Sequence, residues 1–246
     1  GKELNLSELN LHEERRSLGC VQVEDRKQIL FSQHYNELFD FFVGSYRKWF
    51  PIPDGAFLKW GKSACTISTT EMPENEKFVQ LMSAAMFLRG VFLNSGDENV
   101  KTLSRTIENQ AAAAIGSTIE VHRMSDFSLK RLAMSEVAMM GKRRMDNYHF
   151  LYQHLINNEI VKPVKEDLSE LTTFPLYFPV YAKDRASLQT KLCARRIYAP
   201  ILWPVQTSDI LINDTIREIF GTILMIPCDQ RYTDEDMQFI VDVVNS

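Results

Sequence analysis

The short apolar run Phe39-Asp40-Phe41-Phe42-Val43 stops at Gly44-Ser45 and, after Tyr46-Arg47-Lys48-Trp49-Phe50, gives way to Pro51-Ile52-Pro53-Asp54-Gly55. Two prolines that lack a backbone N–H, followed by an Asp-Gly pair, end any regular element, so the chain must leave its apolar layer here through a loop. Phe41 to Gly44 therefore reads as a short buried strand and Gly55-Ala56-Phe57-Leu58-Lys59-Trp60 as another. Upstream, Cys20 to Glu24 reads as a third, with the acidic end Glu24-Asp25. Lys48 stands three residues after Ser45, where a site loop would leave a sheet.

Downstream the apolar period changes to that of a helix. Phe78, Leu81, Met82, Ala85, Leu88 and Val91 predict a helix from Asn75 to about Phe92, with Gly96-Asp97-Glu98-Asn99 as the break and a second helix from about Val100 to Ile115. Ser125-Asp126 is an N-cap signal for one long helix through Leu129, Leu132, Val137 and Met140 towards Leu155. The last third alternates. Leu176 to Ala182 reads as a strand, Asp184 as the cap of a helix through Leu188 and Leu192, Tyr198 to Trp203 and Ile223 to Ile226 as strands, and Thr233-Asp234-Glu235-Asp236 as the start of a helix with Met237, Ile240, Val241 and Val244 on one face. The expected class is α/β, with a domain over 1–124 and a second over 125–246 that opens with the long helix.

Composition excludes several classes of function. A net charge of −4 leaves no basic footprint for nucleic acid. No run is expected to reach the about 20 apolar residues that a membrane helix needs. The four cysteines, Cys20, Cys65, Cys193 and Cys228, form no C-x-x-C pair, which suits a reducing, cytoplasmic setting. The histidines His12, His34, His122, His149 and His154 show no metal-ligand spacing, so no metal site is expected. Lys142-Arg143-Arg144 reads as a solvated helix face or as a charge for a phosphorylated substrate. Arg231 reads as an ion-pair partner ahead of the last helix or as a carboxylate binder. Met139-Met140, Trp49 and Phe50 read as core.

Taken together, Asp25, Gln28, Ser45 and Lys48 are the residue types that pyridoxal 5'-phosphate requires. An amine holds the aldehyde as an imine, a carboxylate keeps the ring nitrogen protonated, an amide contacts the ring, and a small hydroxyl binds phosphate. Taken singly, each has a plain reading: Asp25 as a strand-end turn residue, Lys48 as a surface lysine. Composition and spacing alone leave an α/β domain with its function open.

Glu24-Asp25-Arg26-Lys27-Gln28 resembles the Glu-Asp-x-x-Gln strand end of fold-type-I pyridoxal-phosphate aminotransferases of the DegT-like sugar-aminotransferase branch, and Gly44-Ser45-Tyr46-Arg47-Lys48 through Gly55 resembles that branch's lysine loop. Arg143-Arg144 with Asn147-Tyr148, Ile197-Tyr198-Ala199-Pro200 and Ile226-Pro227-Cys228-Asp229-Gln230-Arg231-Tyr232 are similar to its later segments.

The resemblance implies a three-layer large domain, present in part, followed by a small α+β domain. It implies Lys48 as the catalytic, cofactor-bearing lysine, with Asp25, Gln28 and Ser45 as further cofactor ligands. It also implies an amino-acid donor, a keto acceptor such as a nucleotide-linked sugar, a ping-pong reaction and a homodimer. The chain, which starts at Gly1, is expected to be the C-terminal two-thirds of such an enzyme. Three positions depart from the family pattern: Lys27 adds a charge near the cofactor, Ala56 stands where a second glycine is common, and Arg196 stands where a helix end favours glycine. The alternatives are a truncated paralogue acting as a dimerising or binding module, and a glycan-binding or scaffold protein.

Overall fold

The structure, a computed structural model, describes residues 13–32, 35, 38–61, 68–115, 120–165, 167–168, 173–202 and 214–246. His12, His34, Cys65, Trp203 and most of the polar N-terminal lead lie outside the described residues. The chain divides into two compact units, one made of Gly1–Leu30 and His34–Ser135, the other of Phe31–Gln33 and Glu136–Ser246. The elements are mixed α/β, as the sequence predicts.

In the first unit β1 (Val23–Asp25), β2 (Phe41–Ser45) and β3 (Ala56–Trp60) form one sheet, with β1 parallel to β2 and β2 antiparallel to β3. The strand expected over Cys20 to Glu24 starts three residues late. Gln22 instead closes the sheet's end, its carbonyl taking the Asp40 and Phe41 N–H groups and its own N–H reaching the Asp40 carboxylate. A Cβ on Gly44 would stand 2.2 Å from Phe57 Cε1 on the paired strand, so a larger residue there would have to displace the Phe57 ring.

Helices α1 (Glu76–Ser95) and α2 (Glu98–Ile115) form a hairpin. Asn75 caps α1 by accepting from Phe78 N, and Gly96, at φ 70°, ends it in the left-handed conformation. The break is shorter than predicted because Asp97 accepts from Asn99 N and starts α2 at once. Phe78, Met82 and Ala111 pack between the two helices, and buried Ser104 donates to the Ala85 carbonyl. By length and composition α1 is apolar enough to cross a membrane, the one such helix among the described residues, which corrects the expectation that no segment qualifies. The uninterrupted-run count stops at Lys77, Gln80 and Arg89, but over a whole helix these few polar side chains are outweighed.

The predicted long helix is two. After α3 (Asp126–Ala133), Ser135 Oγ bonds back to the Arg131 carbonyl, the Ser135 N–H turns to Leu132 O, and Glu136 leaves helical geometry before α4 (Val137–Leu155) begins. The unit boundary falls at the same place.

In the second unit β4 (Val161–Pro163), β5 (Tyr177–Ala182) and β6 (Ile223–Pro227) form an antiparallel sheet. Phe178, Val180 and Ala182 alternate onto one face and meet Leu151 and Leu155 of α4, Leu188 and Leu192 of α5 (Arg185–Ala194), and Met237, Ile240, Val241 and Val244 of α7 (Asp234–Asn245) in one core. Caps at Asp184 and at Thr233, the latter a reciprocal box with Asp236, start α5 and α7 where the sequence places them. Helix α6 (Asp214–Thr222), β4 and a 3-10 turn at Tyr46–Lys48 were not foreseen.

Residues Tyr198 to Ile201 are not a strand. Pro200 has no N–H to give a ladder, and a single backbone bond, from Met225 N to Pro200 O, ties the segment to β6. Arg196, in turn, adopts φ 61° as the left-handed residue that ends α5.

The basic triplet on α4 is not a solvated face. Arg144 is 2% exposed, with Nε on Gln230 Oε1 at 2.7 Å and an η nitrogen on the Pro175 carbonyl at 3.0 Å. Arg143 Nε reaches the Tyr232 carbonyl at 2.8 Å, and only Lys142 is mainly in water. Met140 is core but Met139 is exposed, one helix position turning the second methionine outward.

Candidate active site

The pairing of β1 with β2 sets the site. Register Asp25↔Val43 brings the carboxyl ends of two parallel strands side by side, and Arg26 N extends the ladder by one bond to Val43 O at 2.7 Å. Ligand sites in α/β sheets lie beyond such ends. From here the chain turns away on both strands: after β1 through Arg26-Lys27-Gln28, closed by Ile29 N on Arg26 O, and after β2 through the 3-10 turn that ends at Lys48.

Two buried residues fix these turns. Arg26 is fully buried, its guanidinium 3.9 Å from the Tyr35 ring centroid and 3.3 Å from Glu24 Oε1. Burial pushes the Glu24 carboxyl up, against the pull of Arg26. Trp49, 2% exposed, donates from Nε1 to the Lys27 carbonyl at 2.9 Å, tying one turn to the other. With Arg26 inside, its neighbours Asp25 and Lys27 stand outside.

Asp25, with its side chain 50% exposed, accepts Lys27 N at Oδ1 (3.0 Å) and Lys27 Nζ at Oδ2 (2.8 Å). Burial works against its ionisation, but the bonds and charge of Lys27, together with the charge of Lys48, outweigh it and hold the Asp25 carboxyl below its ordinary range. Lys48 is exposed, yet its pKa is lowered, first by partial desolvation and then by the repulsion of Lys27, with Asp25 pulling the other way. Asp25 and Lys48 are thus brought within reach of each other's charge. The end of the sheet thus carries a carboxylate held below its ordinary range and a lysine whose pKa is lowered.

The other two predicted residues are not drawn into that pair. Gln28 is half-buried on the turn, and no hydrogen bond joins it to Asp25 or Lys48. Ser45 lines a separate cavity of about 340 Å³ with Arg47, Asp54, Phe78 and Met124, whose walls include none of Asp25, Lys27, Gln28 or Lys48.

The turn that follows is anchored by Asp54. Its carboxylate takes Ser125 N (2.7 Å), Ser125 Oγ (2.7 Å) and Ser128 Oγ, joining the Pro-Asp-Gly turn to the N-terminus of α3. Gly55 follows at φ 120°, where a Cβ would stand 2.7 Å from Met124 Cε. Sequence reasoning missed the role of Asp54. It singled out the Lys27 charge as a departure from the family pattern, and the structure pairs that charge with Asp25.

No protein-family model matches the chain, and no curated protein matches it. Solved structures match its fold. A DegT DnrJ EryC1 StrS aminotransferase from Brucella abortus is 13% identical, with a TM-score of 0.55 over 100% of this chain and 61% of its own. The sugar aminotransferase CalS13 from Micromonospora echinospora is 12% identical, with a TM-score of 0.57 over 99% and 64%. The PseC aminotransferase of Helicobacter pylori, involved in pseudoaminic acid biosynthesis, is 10% identical, with a TM-score of 0.57 over 100% and 63%. The chain thus has the fold of part of these aminotransferases and spans less than two thirds of their length.

Proposed function

We propose that this chain carries the lysine-bearing part of a pyridoxal 5'-phosphate-dependent aminotransferase that moves an amino group from an amino-acid donor to a keto acceptor, of which a nucleotide-linked sugar is the favoured class. The observation that supports the reading is that Asp25 ends β1 and Lys48 ends the turn that leaves the parallel strand β2 at the same end of the sheet, each feeling the other's charge. The likeness of the whole chain to sugar-aminotransferase structures supports it.

Two of the four proposed residues, Asp25 and Lys48, have the chemistry the cofactor needs. Asp25 is exposed and ionised, and the Lys48 amine is exposed with a depressed pKa. Bound there, the cofactor supplies an electron sink for a substrate carbanion. Lys48 would hold it through Nζ and, once displaced, carry a proton at that nitrogen. Asp25 would keep the ring nitrogen protonated. Gln28 and Ser45 are the proposed ring and phosphate contacts, each needing to be turned towards the pair. A homodimer is the proposed assembly, and the free thiols Cys20, Cys193 and Cys228 support a reducing cytoplasmic setting.

One observation favours a second reading, a non-catalytic paralogue that binds rather than turns over: Lys27 Nζ already occupies Asp25 Oδ2. Incubation with pyridoxal phosphate followed by borohydride reduction and peptide mapping separates the two. The enzyme reading expects a visible absorbance band and a reduced adduct on Lys48, both lost in Lys48→Ala. Absence of the adduct, or its presence only on other lysines, leaves the paralogue reading in place.

A further inference from the structure

We propose that the cavity of about 340 Å³ between the end of β2 and the first turn of α1 is a binding site for a small carboxylic acid with an apolar body, and that Arg47 is the group that holds its carboxylate. The inference goes beyond the aminotransferase reading. The cavity walls include none of Asp25, Lys27, Gln28 or Lys48, so the occupant is not the group that Lys48 would carry.

Three fixed segments build the walls. Ser45 ends β2, and the 3-10 turn after it carries Arg47, with Trp49 N and Phe50 N both closing on Tyr46 O. Asn75 and Phe78 belong to the capped start of α1, and Met124 precedes the Ser125 cap of α3, which Asp54 anchors. The other ionisable groups in the wall are engaged. Arg123 pairs with Glu74 at 2.7 Å and with Asp126 at 2.6 Å, His122 Nε2 lies 4.0 Å from Glu120 Oε2, and both Asp54 oxygens take donors from the Ser125 and Ser128 side of α3. Arg47 differs. Among the described residues no carboxylate forms an ion pair with it; its guanidinium donates to Met82 Sδ at 3.4 Å and lies 5.2 Å from the Phe78 ring centroid. Partial desolvation draws the Arg47 pKa down, and the charges of Glu108 and Asp54 support the cation without an ion pair.

A guanidinium that reaches a cavity, lies near an aromatic ring and has no anion of its own matches a planar carboxylate, which it takes through two parallel N–H bonds. The Ser45 hydroxyl makes no hydrogen bond among the described residues, and Asn75 uses its amide oxygen on Phe78 N, so both have donors to give. The start of α1 adds the positive end of a 20-residue helix. Phe78, Ile115 and Met124 form the apolar part of the wall. Asp54 decides the charge of the occupant: one unpaired guanidinium balances a monoanion, whereas a phosphate dianion would leave an excess negative charge beside the Asp54 carboxylate.

The test titrates the intact chain with benzoate, with benzamide as its neutral counterpart and with phenyl phosphate, by isothermal calorimetry. In parallel, phenylglyoxal modification of the Arg47 peptide is followed by mass spectrometry with and without benzoate. Benzoate is expected to bind and to slow Arg47 modification, and benzamide to do neither. Arg47→Gln is expected to weaken benzoate by about tenfold or more, the loss that one charge-assisted hydrogen bond gives, and Arg47→Lys by less. No benzoate binding in the parent overturns the proposal, as does equal binding in Arg47→Gln or binding that leaves Arg47 modification unchanged. Phenyl phosphate binding tighter than benzoate overturns the choice of a carboxylate. Should Arg47→Gln fail to fold, as circular dichroism would report, protection of Arg47 in the parent decides alone. Benzoate that blocks the pyridoxal phosphate adduct on Lys48 would mean one shared site and also overturns the proposal. Failure of the adduct in the absence of benzoate removes the aminotransferase reading and leaves this cavity to be judged on the benzoate result.

Discussion

Trp49 Nε1 and the Lys27 carbonyl, 2.9 Å apart and twenty-two residues distant in sequence, join the turn after β2 to the turn after β1. That one bond ties the residue after Lys48 to the residue two beyond Asp25. Trp49→Phe keeps most of the buried volume and removes the donor, leaving the Lys27 carbonyl to water. The expected cost is about 2 kcal/mol, from the lost bond and the smaller ring. Urea denaturation reads the cost, and slower adduct formation on Lys48 reads the loss of position.

Asp54 satisfies three donors at the start of α3, including the hydroxyls of Ser125 and Ser128, which are 1% and 0% exposed. Asp54→Ala strands those hydroxyls in the interior and removes the anchor of the Pro-Asp-Gly turn. A loss of about 3 kcal/mol is expected, with Asp54→Asn losing less because its amide oxygen still accepts. An unchanged urea midpoint in the Ala variant contradicts this account.

Arg196 is exposed, at φ 61°, and forms the left-handed end of α5, with its N–H on Cys193 O and the next residue, Ile197, bonding back to Leu192 O. These two bonds form the helix stop in which glycine is usual. Replacing Arg196 with Gly relieves the Cβ strain and is expected to stabilise the fold by about 1 kcal/mol, after the greater freedom of glycine in the unfolded chain is counted. Thermal unfolding measures the change, and a lower midpoint is the contrary result.

Asp229 receives two side-chain bonds from Arg231, at 2.8 and 2.7 Å, and its N–H at 3.1 Å. Burial raises the Asp229 pKa, but these bonds and the Arg231 charge outweigh it, so the folded value lies below the ordinary 3.8. A depressed carboxyl stabilises the fold above its unfolded pKa and stops doing so as the pH falls through the folded value. The gap in unfolding free energy between the parent and Asp229→Asn should therefore be steady at neutral pH and close as the solution is acidified below about pH 4. A gap that widens in acid is the opposite of this expectation.

Much of the architecture was legible because its signals are local. Strand β3 follows from apolar residues bounded by Gly55, and α1, α5 and α7 start at Asn75, Asp184 and Thr233, whose side chains each bond the N–H three residues on. The break at Ser135 was not legible, since the apolar period continues across it and only the Ser135 hydroxyl competes with the ladder. Strand β4 is three residues long and includes Pro163; it exists because β5 offers it a partner. Arg144 reads as solvent-facing from its triplet, but the carbonyls and amide that bury it come from Pro175, Leu176 and Gln230.

By itself the sequence determined the residue types of the site and the elements that carry them, because turn chemistry, capping and apolar period act over a few neighbours. The tertiary structure decided which of those residues meet. The parallel register of β1 and β2 sets Asp25 and the turn that carries Lys48 at the same end of the sheet, Lys27 pairs with Asp25, and Ser45 lines a different cavity. Strand pairing is a contact between distant segments, and no local preference encodes which side chains it places within reach of one another's charge.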